Sequence, residues 1–183
     1  MNEEDTTLPL SLLVSRRVIE ETVSRLAAQI SDDYREKHLV AVGVLKGAFI
    51  FMADLVRQID VPLEIDFVTV SSYGSGTNSS RTITVHQDIT TDLSGKDVLV
   101  IEDIVDTGHT LCYLADHLKA RGARSVRLCA LADKPSRREQ DVTIDYLGFT
   151  VPDQFVVGYG LDFDNRFRYL PDIYALEAHH DQG

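Results

Sequence analysis

The fold is decided by the stretch Val98-Leu99-Val100-Ile101-Glu102-Asp103-Ile104-Val105-Asp106-Thr107-Gly108-His109-Thr110. Its apolar start, residues 98–101, is typical of a strand that is buried on both faces of a parallel sheet. Such a strand carries its last residues to the carboxyl edge of the sheet, where open α/β folds bind ligands. A turn rich in glycine and hydroxyl groups follows, and residues 111–118 predict a helix that begins at this turn. Backbone N–H groups at a helix start bind anions, so the stretch predicts an anion site.

Two adjacent acids, Glu102 and Asp103, end the buried strand, where an unpaired charge is costly. They indicate that the bound anion also carries hydroxyl groups or a divalent metal. A Walker A loop is excluded, because the sequence has no GxxxxGK[ST] pattern. A phosphatase that forms an aspartyl-phosphate normally has two Asp separated by one residue, whereas Asp103 and Asp106 are separated by two. A plain helix cap would explain Asp106 or Thr107 but not the two acids.

A length of 183 residues indicates a single domain, over residues 1–183. The contents of 44% hydrophobic and 26% charged residues are typical of a globular protein. Strands alternate with helices, which predicts a mostly parallel central sheet flanked by helices, with a small irregular hood formed by the C-terminal segment. The hood includes residues 155–175. Residues 1–14 are expected to be an irregular arm and residues 177–183 a flexible tail. Predicted helices cover 15–31, 47–59 and 111–118, and predicted strands cover 39–45, 63–71, 82–87, 98–101, 125–132, 142–147 and 155–157.

Charge and composition exclude several function classes. A formal net charge of −11 and a pI near 4.8 argue against broad nucleic-acid binding, which usually shows a basic face. The longest apolar stretch, 39–56, contains Lys46 and Asp54, so it is not a membrane span. The acidic N-terminus does not resemble a signal peptide. Cys112 and Cys129 have apolar neighbours and are expected to be reduced thiols, so the expected setting is cytosolic.

The opening stretch, an apolar strand followed by two acids, two apolar residues and Asp-Thr-Gly-x-Thr, resembles the phosphoribosyl-pyrophosphate signature of the type I phosphoribosyltransferases. Four further blocks narrow the resemblance to the hypoxanthine–guanine phosphoribosyltransferases, whose order they follow. They are Leu45-Lys46-Gly47, Ser72-Tyr73, Asp133-Lys134-Pro135-Ser136-Arg137-Arg138, and Phe155-Val156-Val157-Gly158-Tyr159-Gly160-Leu161-Asp162. The blocks cover most of the chain from about residue 15 to 175, and together they are far more specific than any one alone.

The resemblance implies where the sugar phosphate binds. The loop that would hold the 5′-phosphate, through backbone N–H groups and hydroxyls, consists of Asp106, Thr107, Gly108, His109 and Thr110. For His109 only the backbone is expected to be a ligand. Glu102 and Asp103 would face the ribose hydroxyls, directly or through Mg²⁺. Asp106 would act as the general base for the purine N7 proton, or would mainly stabilise charge on the purine.

The family also implies residues for pyrophosphate and for closure of the site. Lys46 and Gly47 resemble the pyrophosphate loop, where the family often has a non-proline cis peptide. Arg168 resembles the pyrophosphate-binding arginine, and Asp162 is expected to bind a second Mg²⁺. Residues Ser72 and Tyr73, with the loop to residue 80, resemble a lid that excludes water from the reaction.

The resemblance implies four positions that recognise the base. Lys134 resembles the lysine that donates to the 6-oxygen of the purine, which would select a 6-oxopurine over adenine. Phe155 would stack on the ring, and backbone carbonyls near Val156 and Asp162 would accept a guanine 2-amino group.

The expected activity is therefore purine salvage, in which hypoxanthine, and also guanine, receives the phosphoribosyl group of phosphoribosyl pyrophosphate. Two alternatives stay open: an enzyme that prefers xanthine, and a nucleotide-sensing RNA-binding regulator on the same fold. The acidic composition speaks against the regulator. The family resemblance implies a homodimer or homotetramer, with no nucleic-acid or membrane partner. The sequence leaves the preference among 6-oxopurines open.

Overall fold

A computed structural model describes residues 9–73 and 82–177, except the side chains of 72, 73 and 82. Within these residues the helices are α1 (Arg16–Asp33), α2 (Phe49–Val56) and α3 (His109–Ala120). The strands are β1 (Leu10–Val14), β2 (Leu39–Leu45), β3 (Leu63–Tyr73), β4 (Thr82–Gln87), β5 (Asp97–Val105), β6 (Ser125–Asp133), β7 (Tyr146–Thr150), β8 (Val156–Val157) and β9 (Ile173–Leu176).

Six strands form the central sheet in the order β4-β3-β2-β5-β6-β7. The pairs from β3 to β7 are parallel, and β4 pairs with β3 in the antiparallel direction. Helices α1 and α2 cover one face, where Leu99 and Ile101 of β5 are buried. Helix α3 covers the other face over Val98 and Val100. Because both faces are covered, β5 is apolar at consecutive positions, and the predicted mostly parallel α/β fold is confirmed.

The apolar periodicity of α1 predicts its buried face correctly. Ile19, Val23, Leu26 and Ile30 are all at most 1% exposed. The helix begins after Ser15, as predicted, but the Ser15 side chain makes no capping hydrogen bond. Instead, the N–H of Arg16 donates to the side chain of Asp172 at 2.6 Å. The first turn of α1 is therefore capped by a residue from the far end of the sequence.

The sequence analysis predicted irregular chain near both ends of the domain, and this was wrong where the structure has strands. Residues 10–14, expected to be part of an irregular arm, form β1 and pair with β9 in the antiparallel direction. Strand β9 also pairs with β8, so the hood contains a three-stranded sheet instead of irregular chain alone. Short strands that pair across about 160 residues leave little local signal in the sequence. Residues 1–8 and 178–183 lie outside the described residues.

The strand predicted over 142–147 is also displaced, because β7 covers Tyr146–Thr150. Residues 142–145, which precede β7, contact β6 and the segment before α3 instead of extending the strand. The side chain of Asp145 accepts the N–H of Leu128 at 2.9 Å, and Val142 packs against Gly108.

No helix in the described ranges is long and apolar enough to cross a membrane.

Candidate active site

The acidic pair, Glu102 and Asp103, lies near the carboxyl end of β5, as the sequence predicts. Asp103 is 9% exposed, and Glu102 Oε2 is buried with no hydrogen-bond partner in the part of the chain that the structure describes. Burial raises the pKa of Glu102 well above its usual range, and the neighbouring Asp103 charge raises it further. Burial also raises the pKa of Asp103, although the backbone N–H of Ile104 donates to its Oδ1 at 2.8 Å and opposes the shift. The described residues therefore offset only part of the desolvation cost of these carboxylates.

Gly47 brings the predicted pyrophosphate loop against this pair. A Cβ added to Gly47 would lie 1.7 Å from Asp103 Oδ2, so only glycine fits here. On its other side, a Cβ added to Gly160 would lie 2.2 Å from the Gly47 carbonyl oxygen. The Leu45–Lys46 peptide is cis, as the family resemblance implied. Helix α2 begins at Phe49, later than predicted, so Lys46 and Gly47 lie in the turn that precedes it.

The predicted phosphate loop connects β5 to α3. Gly108 has a φ of +89°, a left-handed conformation that glycine adopts without strain, and it caps α3. Helix α3 begins at His109 and includes Thr110, and the N–H of Cys112 donates to the Gly108 carbonyl at 3.0 Å. The first N–H groups of a helix have no partner within it, so they are available to an anion in the loop.

Residues 138–140, here called the brace, donate hydrogen bonds to backbone carbonyls of the phosphate loop. The sequence analysis did not find these contacts. Arg138 Nη1 donates to the Asp106 carbonyl at 2.8 Å and also pairs with Asp133. The N–H groups of Glu139 and residue 140 each donate to the Thr107 carbonyl at 3.0 Å. His109 Nε2 lies 2.9 Å from Glu139 Oε2, so the histidine side chain contacts the brace. The sequence analysis includes Arg138 in the block 133–138 but gives it no role, because contacts to backbone carbonyls leave no sequence pattern.

Asp106 has a side-chain partner that the sequence analysis also missed. Arg137 Nε donates to Asp106 Oδ1 at 3.1 Å. Arg137 ends a single 3-10 turn, Pro135–Arg137, that directly follows Lys134. The carboxylate of Asp106, the candidate general base, therefore contacts the guanidinium of Arg137 in the segment that follows β6.

Lys134 directly follows β6 and is fixed by its backbone. Its N–H donates to the Val105 carbonyl at 2.9 Å, which ties the carboxyl ends of β5 and β6 together. Within 9–73 and 82–177, no hydrogen bond or ion pair of its ammonium group is found. The side chain is partly exposed, as expected for a cation that meets a ligand.

Phe155 and Val156 lie on the hood beside this edge. Phe155 is 56% exposed, unusually high for a large apolar side chain, and it meets Phe163 edge-on with the ring centroids 5.3 Å apart. The Phe155 carbonyl accepts the N–H of Leu176 at 2.8 Å, and Val156 is buried in β8. An exposed aromatic ring on a fixed backbone is suited to stacking on a planar base.

Asp162 and Arg168 form an ion pair in the hood at 2.6 Å. Arg168 Nη1 also donates to the Gly160 carbonyl at 2.6 Å, and Asp162 Oδ2 accepts the N–H of Asn165 at 2.7 Å. Because Gly160 packs on Gly47, these contacts hold Arg168 near the predicted pyrophosphate loop. The Arg168 charge also lowers the pKa of Asp103, against the larger effect of burial.

Ser72 and Tyr73 are the last residues of β3, where they pair with Ile83 and Thr82 of β4. Their side chains, and the rest of the predicted lid up to residue 80, lie outside the described residues. The prediction of a lid therefore stays a prediction.

The acidic pair fits a Mg²⁺ ion. Glu102 Oε2 is a buried oxygen without a partner, and the carboxylate of Asp103 lies against a backbone that only glycine permits. In the described part of the chain, no group of three or more His, Cys, Asp or Glu residues could hold a metal. Mg²⁺ takes one or two protein carboxylates and keeps water and substrate oxygens as its other ligands, so the two carboxylates by themselves are a sufficient protein ligand set.

Known proteins agree with this geometry. The family model for the phosphoribosyl transferase domain matches residues 13–164. The hypoxanthine phosphoribosyltransferase of Salmonella typhimurium is 44% identical over 166 residues, which are 90% of this chain and 93% of that protein. The hypoxanthine-guanine phosphoribosyltransferase of Bacillus subtilis is 47% identical over 166 residues, 91% of this chain and 92% of that protein.

A solved structure agrees as well. The crystal structure of a hypoxanthine phosphoribosyltransferase from Staphylococcus aureus superimposes with a TM-score of 0.90 at 41% identity, covering 96% of this chain and 95% of that chain. The fold and the site thus define a phosphoribosyltransferase of type I architecture. Within that class, the chain belongs to the family of hypoxanthine and hypoxanthine-guanine phosphoribosyltransferases, which are glycosyltransferases of purine salvage.

Proposed function

We propose that this protein transfers the 5-phosphoribosyl group of phosphoribosyl pyrophosphate to hypoxanthine, and also to guanine, giving IMP or GMP and pyrophosphate. One observation carries the proposal. A helix-start anion loop, a buried acidic pair and the Lys134 ammonium lie at the ends of two neighbouring parallel strands, β5 and β6. Within residues 9–73 and 82–177, neither Glu102 Oε2 nor the ammonium has a hydrogen-bond partner. Phosphate, ribose hydroxyls and a 6-oxopurine would each find a complementary group there.

The sugar phosphate is assigned to the carboxyl end of β5. The 5′-phosphate would accept hydrogen bonds from the N–H groups of the loop 106–110 and from the hydroxyls of Thr107 and Thr110. Glu102 and Asp103 would accept hydrogen bonds from the ribose hydroxyls. These groups hold the sugar still while C1 develops positive charge, and positioning of this kind supplies much of the acceleration.

Pyrophosphate leaves C1 on the side of Lys46, Gly47 and Arg168. Mg²⁺ is proposed to bind through Glu102 and Asp103, and a second ion through Asp162. When bound, Mg²⁺ neutralises negative charge on the pyrophosphate. The Arg168 guanidinium supplies a further positive charge, and its pair with Asp162 fixes its direction.

The base is assigned to the space between β6 and the hood. Lys134 would donate to the 6-oxygen, and Phe155 would stack on the ring. Carbonyls at Val156 and Asp162 would accept the 2-amino group of guanine. Asp106 would receive the N7 proton as the new C1–nitrogen bond forms. A cation at the 6-position disfavours adenine, whose 6-amino group donates hydrogen bonds instead of accepting them.

The proposal extends to the setting and assembly of the enzyme. We infer a cytoplasmic enzyme, which is supported by free thiols at Cys112 and Cys129. We also infer a single catalytic domain over residues 1–183 that assembles as a homodimer or homotetramer. Light scattering coupled to size-exclusion chromatography tests the assembly, and a monomer at working concentration would contradict it.

A base-panel assay tests the activity. Pyrophosphate release is followed with phosphoribosyl pyrophosphate and Mg²⁺ in the presence of hypoxanthine, guanine, xanthine, adenine or orotate. We expect turnover with hypoxanthine and guanine and none with adenine or orotate. A clear preference for xanthine would replace the proposed substrate, and the absence of release with every base would reject the proposal.

A further inference from the structure

Arg137 lies between two carboxylates on the purine side of the site. Its Nε donates to Asp106 Oδ1 at 3.1 Å, and its Nη1 lies 3.8 Å from Asp153 Oδ1. Asp106 belongs to the phosphate loop, and Asp153 lies two residues before Phe155. One guanidinium therefore contacts both segments that would hold the base.

The backbone of Asp106 is fixed without Arg137. Arg138 Nη1 donates to the Asp106 carbonyl at 2.8 Å, and the N–H of Lys134 donates to the Val105 carbonyl at 2.9 Å. The contact of Arg137 with Asp106 is to the carboxylate alone. Arg137 thus controls where that carboxylate points, whereas Arg138 controls where its backbone lies.

The contact of Arg137 is easily exchanged. The side chains of Arg137 and Asp106 are 48% and 45% exposed, and ion pairs this exposed are weak. Asp153 is 51% exposed and lies farther from the guanidinium than Asp106, so its pair with Arg137 is also weak and is the minor one in this structure. A guanidinium stays protonated and carries five N–H donors in a fork, so it can pass between carboxylates without moving a proton.

We propose that Arg137 is a positioning residue for Asp106, which it orients before the base arrives and releases to Asp153 once a purine N–H takes the carboxylate. This inference rests on the proposed function, because it assumes that Asp106 serves the purine N7 proton. Asp153 keeps the guanidinium paired in the second position, so release of Asp106 leaves no unpaired charge.

A double-mutant cycle with Arg137→Gln and Asp153→Asn tests the exchange. Asp153→Asn leaves Arg137 with Asp106 and a weaker charge interaction with Glu139, so the KM for hypoxanthine should rise about fivefold while the KM for phosphoribosyl pyrophosphate stays unchanged. Arg137→Gln leaves Asp106 unoriented, so kcat should fall about fivefold, and Arg137→Lys should restore part of it. In the Arg137→Gln background, Asp153→Asn should have no further effect on the KM for hypoxanthine.

The outcome that overturns the proposal is equal Asp153→Asn effects in both backgrounds, since Asp153 would then act without Arg137. An unchanged KM in the single variant overturns it as well. Arg17→Gln is the matched control, because it removes an exposed arginine pair with Glu21 on α1. It should change neither parameter.

Failure of the proposed function is seen separately, as an unmodified enzyme that converts no base. The Arg137–Asp106 contact is then still tested by the NMR signal of the Arg137 Nε–H group. Asp106→Asn should shift this signal, and Glu21→Gln should not. An unshifted signal in the Asp106→Asn variant would overturn the contact.

Discussion

Strand β5 carries carboxylates at both ends, and the two ends differ in how these charges are satisfied. At the amino end, Asp97 pairs with Arg124 and accepts the Ser125 hydroxyl at 2.6 Å. The hydrogen bond from Arg124 lowers the pKa of Asp97. At the carboxyl end, Glu102 has a buried oxygen without a partner, and burial raises the pKa of both acids.

The difference distinguishes charges that hold the fold from charges kept for a ligand. The chain folds around Asp97 with its own cation, so this carboxylate stabilises the sheet. For the acidic pair, the N–H of Ile104 and the charge of Arg168 act on Asp103 but do not outweigh burial, so a ligand or metal is needed to offset the remaining cost. The same contrast holds for cations, since Arg124 is paired and the Lys134 ammonium has no partner within the described residues.

Asp106→Asn should have the largest effect on the ligand-binding end. We expect kcat to fall about 1,000-fold, because general base catalysis contributes roughly 10²–10⁴-fold. The thermal unfolding midpoint should stay unchanged, because the pair of Asp106 with Arg137 is half exposed. Pyrophosphate release and thermal unfolding measure the two quantities. Asp32→Asn, which removes an exposed pair with Arg35, is the control, and full activity of the Asp106 variant would remove its assigned role.

Glu102→Gln and Asp97→Asn should act in opposite ways on β5. The Glu102 variant replaces a buried carboxyl whose Oε2 has no hydrogen-bond partner among the described residues, so its free energy of unfolding should stay equal or rise, while kcat/KM falls about 100-fold. The Asp97 variant weakens the hydrogen bonds that a buried carboxylate accepts from the half-exposed Arg124 and from Ser125, so its free energy of unfolding should fall by about 2 kcal/mol while kcat stays unchanged. Urea unfolding and turnover assays measure both. Loss of stability in the Glu102 variant would contradict the contrast.

Asp66 extends the comparison to the pH dependence of stability, because its carboxylate accepts several hydrogen bonds from the protein. Burial raises its pKa, but hydrogen bonds led by those from Thr91 and the backbone N–H of Phe67 outweigh burial and lower it to about 2. A carboxylate with a lowered pKa stabilises the fold above its unfolded pKa of 3.8, and this contribution is lost as the pH falls towards 2.

We therefore expect Asp66→Asn to lower the free energy of unfolding by up to about 2 kcal/mol at pH 6, and by progressively less as the pH falls below about 4. Urea unfolding at a series of pH values measures the difference. A gap between the variant and the unmodified protein that is the same at all pH values would show that Asp66 does not act through its charge.

Lys134→Gln should have the smallest effect, on selectivity alone. The ratio of kcat/KM for hypoxanthine to that for adenine should fall about tenfold, because one charge-assisted hydrogen bond to the 6-oxygen is lost. Arg124→Gln is the matched control at the other end of the sheet, where the lost cation should lower stability and leave selectivity unchanged. Competition between the two bases measures the ratio, and an unaltered ratio in the Lys134 variant would argue against the contact.

Local pattern determined the central part of this protein. The apolar run 98–101 predicts a strand covered on both faces, and β5 is such a strand. The spacing of Ile19, Val23, Leu26 and Ile30 predicts the buried face of α1. The order of acids, glycine and hydroxyls after β5 predicts where the phosphate loop begins. These features follow from side-chain periodicity and turn chemistry, which neighbours in sequence specify.

Only the tertiary structure decided which charges meet. The pair of Arg137 with Asp106 joins residues 31 positions apart, and the cap of α1 by Asp172 joins residues 156 apart. The packing of Gly47 against Asp103, and the pairing of β1 with β9, also bring together distant segments. The sequence by itself therefore determined the strand, the loop and the residue types of the site. Which carboxylate received a cation was decided by folding, because the energy of a charge depends on burial and on partners that local sequence does not encode.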